Sequence, residues 1–158
     1  MAIYKLLDDF YEHSYTLIAI HGSLDDYRLA YFLNSEFKIN LRRLKTDVNI
    51  AERVNTSVFK SYDDVNEVSW SLIKNRINIE QIGTEVSLFA EKKSVKRFFF
   101  IPEYSKADYF LKIDEDGPYR DEIKVLVKLK KIPGIITAYK VEAQQLKSKN
   151  NLIFLTNA

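Results

Sequence analysis

The chain has no cysteine. That absence excludes a disulfide framework, thiolate catalysis and any cysteine-held metal or iron–sulfur site, and it is compatible with a cytoplasmic protein. Glycine and proline are scarce, four and three in 158 residues, which leaves little room for a flexible linker or a proline-rich tail. The glycines stand at 22, 83, 117 and 134, too scattered for a loop that cradles phosphate. Long hydrophobic runs are missing too. Ser14 to Leu24 is the longest uncharged stretch near the start, about half the roughly 20 residues needed to cross a bilayer. The first residues show no basic segment followed by an apolar one and a small-residue cleavage site, so neither a membrane span nor a secretion signal is expected. Charge of one sign is also lacking: the net charge of +2 is too small to argue for nucleic acid by itself.

What is present is an ordinary soluble composition, 46% hydrophobic and 29% charged. The length implies a single domain over 1–158. Ten phenylalanines and ten tyrosines must largely fill its core. Ile3, Leu6, Leu7 and Phe10 recur at helical spacing, predicting an amphipathic helix from Ile3 to Glu12. Tyr15 to Ile20 is a short apolar run suited to an interior strand, broken by Gly22. Ser23 is placed to cap a helix from Leu24 to Glu36, with Asp25 and Asp26 at the positive end of its dipole. The alternation of Phe37, Ile39 and Leu41 with polar residues predicts the next strand. Ser57–Tyr62 and Val68–Ile73 read as a hairpin around the turn residues Asp63 to Glu67. Ile77, Ile79, Ile82, Val86 and Phe89 indicate further extended structure.

Beyond the turn cluster Asp114 to Pro118, a helix is predicted with Asp121 and Glu122 in its first turn and Lys128, Lys130 and Lys131 in its last, ended by Pro133-Gly134. Ile123, Leu126, Val127 and the Lys130 stem are expected to form its inner face. Ile135–Val141 is the following strand, and Leu152–Leu155 is expected to pair with it. Two strand–helix–strand units around an antiparallel meander imply an α+β fold: a mostly antiparallel sheet with two or three helices on one face. The final unit looks somewhat like the ferredoxin-like modules of ACT and related ligand-sensing domains, an analogy of fold alone.

The stretch Arg97 to Ile113 joins two apolar runs through Pro102 and two acids. Pro102 has no N–H for a ladder and ends the first run, Phe98 to Ile101. The second, Ala107 to Ile113, alternates with a period of two. The five intervening residues suit a hairpin loop or one helical turn, and adjacent antiparallel strands are the expectation. Ile101, Pro102 and Glu103, three free positions at Tyr104 to Lys106, and then Asp108 and Tyr109 after one further residue resemble the Ile-Pro-Glu-x-x-x-Val-Asp-Tyr family, an uncharacterised bacterial family named for this pattern. Ala107 stands where that family has valine. The resemblance implies membership and brings no chemistry with it.

Catalytic candidates reduce to bland roles. His13 and His21 fit a helix end and a strand end, and Ser23 is better engaged as a cap than as a nucleophile. Glu103 and Asp108 are the one acidic pair in apolar surroundings. They read as turn and ion-pair residues, with Asp108 facing Arg97 or a lysine across the hairpin, rather than as a general acid–base couple. The acidic clusters at Asp63-Asp64 and Asp114–Asp116 lack calcium-loop spacing. No catalytic residue, metal ligand or cofactor is therefore assigned. Trp70 is expected in the core. Lys92, Lys93, Lys96 and Arg97 precede three phenylalanines, the ingredients of single-strand nucleic-acid binding. The glycines that let bases approach an RNA-binding strand are missing, so this stays an alternative. The principal expectation is a non-catalytic binding or protein-interaction module. Its partner is an unidentified protein or small ligand, and its surface is Pro102, Glu103, Tyr104, Asp108 and Tyr109, a rigid turn displaying acids and phenols. An ACT-like ligand sensor is the next alternative. A homodimer through sheet edges or helix faces is a further expectation, supported by the ACT-like analogy alone.

Overall fold

The computed structural model describes residues 15–82, 93–115 and 121–153. The expected first helix, His13, the positions from Gly83 to Lys92, the end of the 114–118 turn and Leu155 lie outside them. Strand β1 (Tyr15–Gly22) follows from the apolar run: Thr16 to Ile20 are all buried, as an interior strand requires. Helix α1 (Asp26–Phe37) buries Leu29, Ala30 and Leu33. Its N-cap is Asp25, not Ser23; the Ser23 N–H donates to the Gly134 carbonyl at 3.2 Å. Lys38 ends the helix in the left-handed region, φ 54°.

The strand expected at Phe37–Leu41 does not form; only Arg42–Arg43 (β2) joins the sheet. The apolar alternation reported burial correctly, since Leu41 is buried and Phe37 and Ile39 pack against the core. The backbone, however, is satisfied by side chains instead of a ladder. Asn34 brackets Leu41, accepting from its N–H at 2.7 Å and donating to its carbonyl at 3.2 Å. The Asn40 N–H reaches Ser61 Oγ at 2.9 Å.

Next come β3 (Val48–Ala51), β4 (Val54–Thr56), β5 (Val58–Asp63), β6 (Val68–Lys74), β7 (Arg76–Ile82), β8 (Lys93–Phe99), β9 (Tyr109–Asp114), α2 (Glu122–Lys131) and β10 (Ile135–Val141). A short helix, α3 (Asn150–Ile153), comes last among the described residues. The main sheet runs β10-β1-β9-β6-β5-β2, every neighbour antiparallel. The β5–β6 hairpin turns where expected, with Asp63 accepting from the Val65 and Asn66 N–H groups. Strand β9 lies between β1 and β6, and β1 lies between β9 and β10. Two split β-α-β units therefore interlock in the ferredoxin-like manner, with β6 closing the first unit and β10 the second. The extra strands β2 and β5 widen one edge.

The sheet is covered on both faces. On one, Ile18, Ile20, Trp70, Leu72, Leu111 and Ile113 meet Leu29 and Leu33 of α1 and Val125 and Leu129 of α2. On the other, Leu17, Ala19, Ile73 and Phe110 pack with Phe100, Ile101, Ala107, Leu146 and Leu152. Trp70 is core, as expected. Of the inner face expected for helix α2, Leu126 packs against the core, but Ile123 is 77% and Val127 50% exposed, while Val125, Leu129 and Ile132 are buried in their place. Its apolar residues form two overlapping stripes, so periodicity alone cannot choose between them. The residues at 152 and 153 are helical, not a partner for β10. Leu152 is buried, and the Asn151 side chain donates to the Phe100 carbonyl at 2.9 Å.

The largest correction concerns Arg97 to Ile113. The two apolar runs are not hairpin partners: β8 pairs with β7 in a separate ribbon, and β9 pairs with β1 and β6. The proline instead starts a 3₁₀ turn, Pro102–Tyr104. Asn75, fully buried between β6 and β7, makes this geometry possible. Its side-chain amide donates to the Tyr104 and Ala107 carbonyls at 3.0 and 2.8 Å and accepts from the Ile101 N–H at 2.7 Å. Its main chain bonds Phe100 and Asp108, each at 2.9 Å. A single polar side chain thus satisfies main-chain groups of the buried residues Ile101 and Ala107 that flank the exposed turn.

Candidate functional site

At the sheet end where β1 finishes and β9 begins lies a cleft of about 470 Å³. Strand β9 runs between β1 and β6, so Asp108 and Tyr109 form its floor. The β1–α1 loop, Gly22 to Asp26, rises on one side. Lys74 and the run Arg76 to Asn78 stand on the other, and Arg43, Asp47 and Asn55–Ser57 complete the lining.

The floor braces the walls. Asp108 Oδ2 accepts from the Gly22 N–H at 2.8 Å, and Asp108 Oδ1 lies 3.5 Å from the Arg76 guanidinium. The Asp108 N–H donates to the Ile20 carbonyl at 2.9 Å. Tyr109, only 4% exposed, donates its hydroxyl to the Leu24 carbonyl at 2.6 Å. Burial, with the Asp26, Asp25 and Asp108 carboxylates nearby, raises its phenol well above the ordinary range. Gly22 is required by close approach: a Cβ there would sit 2.5 Å from the Gly134 carbonyl oxygen. The loop on the acidic side is therefore held by two side chains below it and by the α2–β10 turn beside it.

The lining carries both charge signs, unevenly engaged. Arg43 and Asp47 form a two-pronged pair at 3.0 and 3.1 Å. Asp26 accepts from the Ser57 hydroxyl at 2.7 Å and from the Tyr27 N–H at 2.8 Å. The Thr56 hydroxyl donates to the Lys74 carbonyl at 2.5 Å. Arg76 is poorly served, with a 3.3 Å bond to the Ser105 carbonyl, the long contact to Asp108 and a buried Nε without a partner. Asp25 makes no side-chain capping bond. Lys74 is in no ion pair with a described residue.

Of the sequence-derived binding surface, Asp108 and Tyr109 line the cleft, and Pro102, Glu103 and Tyr104 do not. Asp108 faces Arg76, not Arg97 or a lysine, because the hairpin that would have opposed them is absent. Glu103 is exposed and accepts from the hydroxyl and N–H of Ser148. Partial burial works to raise its carboxyl, and the Ser148 hydrogen bonds outweigh that and hold it below the usual range. Glu103 and Asp108 therefore serve different partners. Tyr104 is half-buried, its ring edge-on to Phe110 at 6.3 Å. His21 meets the Tyr139 hydroxyl at 2.9 Å and does not line the cleft. On β8, Lys96 and Arg97 are exposed, and Lys96 Nζ lies 5.5 Å from the Phe98 ring centre. Lys93 belongs to the same strand, Phe100 is fully buried, and Lys92 lies outside the described residues.

Sequence reasoning missed Lys74, Asn75 and Arg76. The available signal was a polar triplet interrupting two apolar runs, Val68–Ile73 and Ile77–Ile82. Among the described residues no group of three or more His, Asp or Glu is placed to hold a metal, and no helix is long and apolar enough to cross a membrane. Comparison with protein-family models, curated proteins and solved structures returns no match.

Proposed function

We propose that this chain is a non-catalytic binding module and that its occupant is a small polar molecule held in the cleft between the β1–α1 loop and the β6–β7 strands. The observation that carries this reading is the bracing of the cleft from below. Asp108 and Tyr109 fix the β1–α1 loop, and Asn75 fixes the β6–β7 junction to the loop ahead of β9. A concavity held open by its own hydrogen bonds loses little order when a ligand enters, which is how binding sites conserve affinity. The lining supports binding over turnover. Among the described residues no histidine borders the cleft to activate a hydroxyl, and three of its four hydroxyls are committed, Thr56 and Tyr109 to carbonyls and Ser57 to Asp26, leaving Ser23.

The test is a thermal-shift panel of small polar metabolites on the whole chain, followed by amide chemical-shift mapping. A ligand of the folded state must raise the melting point. We expect a stabilising compound to move the amides of residues 22–26 and 74–78 and to lose its effect in Lys74→Ala. Stabilisers that perturb amides elsewhere and leave these segments still would overturn the assignment.

A further inference from the structure

We infer that the cleft's ligand is dipolar, with a cationic nitrogen at one end and a carboxylate or phosphate at the other. This deepens the reading above and rests on it. Once the internal partners of each charge are counted, the two sides of the cleft are left with opposite unmet demands. On the β6–β7 side, Lys74 is exposed and in no ion pair with a described residue. Beside it, Arg76 has a buried Nε without a partner and only long contacts elsewhere. On the β1–α1 side, Asp25 is exposed and its carboxylate does not cap the helix that it precedes. Asp26 is engaged instead, accepting from the Tyr27 N–H and from the hydroxyl of Ser57, whose carbonyl accepts from the Lys74 N–H at 3.3 Å, so Asp25 is the carboxylate left over.

The register places the two sides apart. Lys74 and Ile20 both pair with Tyr109, so the strands that carry the two demands are two ladder spacings apart, about 10 Å. Lys74 and Asp25, which follows β1 in the loop, both line the cleft and form no ion pair with one another. A singly charged ligand would satisfy one pole and leave the other facing its unaltered field. A ligand with both charges a few ångströms apart engages both, with charge-assisted hydrogen bonds at each end.

The experiment titrates the whole chain with ω-amino acids from glycine to 6-aminohexanoate, and with butyrate and n-butylamine as singly charged controls. Amide shifts at 22–26 and 74–78 are the readout. One chain length of the series should bind at least about tenfold more tightly than either control, the scale of one charge-assisted hydrogen bond. Lys74→Ala should cost that ligand about tenfold and leave n-butylamine unaffected. Asp25→Asn should do the reverse, weakening the dipole and sparing butyrate. Both positions are exposed, and asparagine caps a helix as well as aspartate does, so folding is retained. Butyrate or n-butylamine binding as tightly as the best ω-amino acid would overturn the dipolar inference while leaving the cleft a binding site. A cleft ligand from the metabolite panel that lacks one of the two charges would do the same. Failure of every compound in both sets to move the cleft amides would remove the underlying reading as well.

Discussion

Asn75→Ala is the sharpest perturbation of the architecture. It deletes an amide that satisfies the Ile101 N–H and the Tyr104 and Ala107 carbonyls. A buried polar group left unpaired costs about 1–3 kcal/mol. Ile101 and Ala107 are fully buried, so their groups bear that cost, whereas the Tyr104 carbonyl, on a half-buried residue, regains water. The expected loss is about 3–5 kcal/mol, a large share of the roughly 5–15 kcal/mol that holds a domain together. Urea titration should show the midpoint falling with an unchanged slope, since the surface exposed on unfolding is the same. Asn75→Asp is isosteric and should cost more than Asn75→Ala at pH 7, because two donors become acceptors facing carbonyls at 2.8 and 3.0 Å. Burial and those carbonyls raise the introduced carboxyl above its unfolded value of about 3.9. Its folded form binds more protons than its unfolded form in that window, so stability falls as pH rises through it. The deficit of Asn75→Asp should therefore shrink as the pH falls from 7 toward about 4 and stay constant below that. A loss under about 1 kcal/mol for Asn75→Ala, or wild-type stability for Asn75→Asp at pH 7, would refute the reasoning.

Other perturbations test the same scaffold. Lys112 is fully buried, its Nζ 3.0 Å from Asp114, 3.3 Å from the Leu152 carbonyl and 4.6 Å from the Tyr15 ring centre, and burial lowers its pKa despite Asp114. Asp114→Asn strands that ammonium and should cost about 2–3 kcal/mol at pH 7; Lys112→Met leaves only a partly hydrated carboxylate and should change stability by under about 1 kcal/mol. Because the lysine's folded pKa lies below its unfolded one, the unfolded chain binds more protons between the two and stability rises with pH there. The Asp114→Asn deficit should accordingly narrow between pH 7 and 10 in urea melts. Tyr109→Phe removes the bond to Leu24 and should cost about 1 kcal/mol at pH 7. It should also blunt the decline in stability above pH 10, where a phenol with a raised folded pKa holds protons that the unfolded chain has released. Gly22→Ala forces apart the β1–α1 and α2–β10 loops and should cost about 2–3 kcal/mol, measured by thermal unfolding.

Much of the sheet was legible because its strands carry their burial in their composition. The interior strand β1 is a continuous apolar run, β10 has the expected bounds, and β5–β6 announce their turn with Asp63 and Asn66. The failures share a cause. At Phe37–Leu41 and in α2, the spacing of apolar residues reported burial or amphipathicity faithfully, but the backbone geometry was decided by groups that periodicity does not register. Those groups were Asn34 and Ser61 in the first case and a choice between two apolar stripes in the second. At Arg97–Ile113 the competing partners of β8 and β9 lie far off in sequence, and local alternation holds no information about which strand will claim a ladder.

The site was half legible for the same reason. Asp108 and Tyr109 stand out as polar groups in an apolar run, and they reach the cleft, but facing inward: a phenol only 4% exposed and a carboxylate bonded to a main-chain N–H hold the β1–α1 loop more than they display themselves. The charges left for a ligand belong to neighbours without a pattern of their own, the exposed Asp25 at a helix start and the exposed Lys74 and half-buried Arg76 around a buried asparagine. This division predicts that the two sets of residues fail differently. Changes at Asn75, Asp108 or Tyr109 should lower stability and weaken every cleft ligand together, because they move the walls. Changes at Lys74 or Asp25 should leave the unfolding free energy within about 0.5 kcal/mol of native, as exposed substitutions do, and select among ligands by charge. If Asp108→Asn discriminated between ligands of opposite sign without loss of stability, the floor would be a recognition surface and this assignment of roles would be reversed.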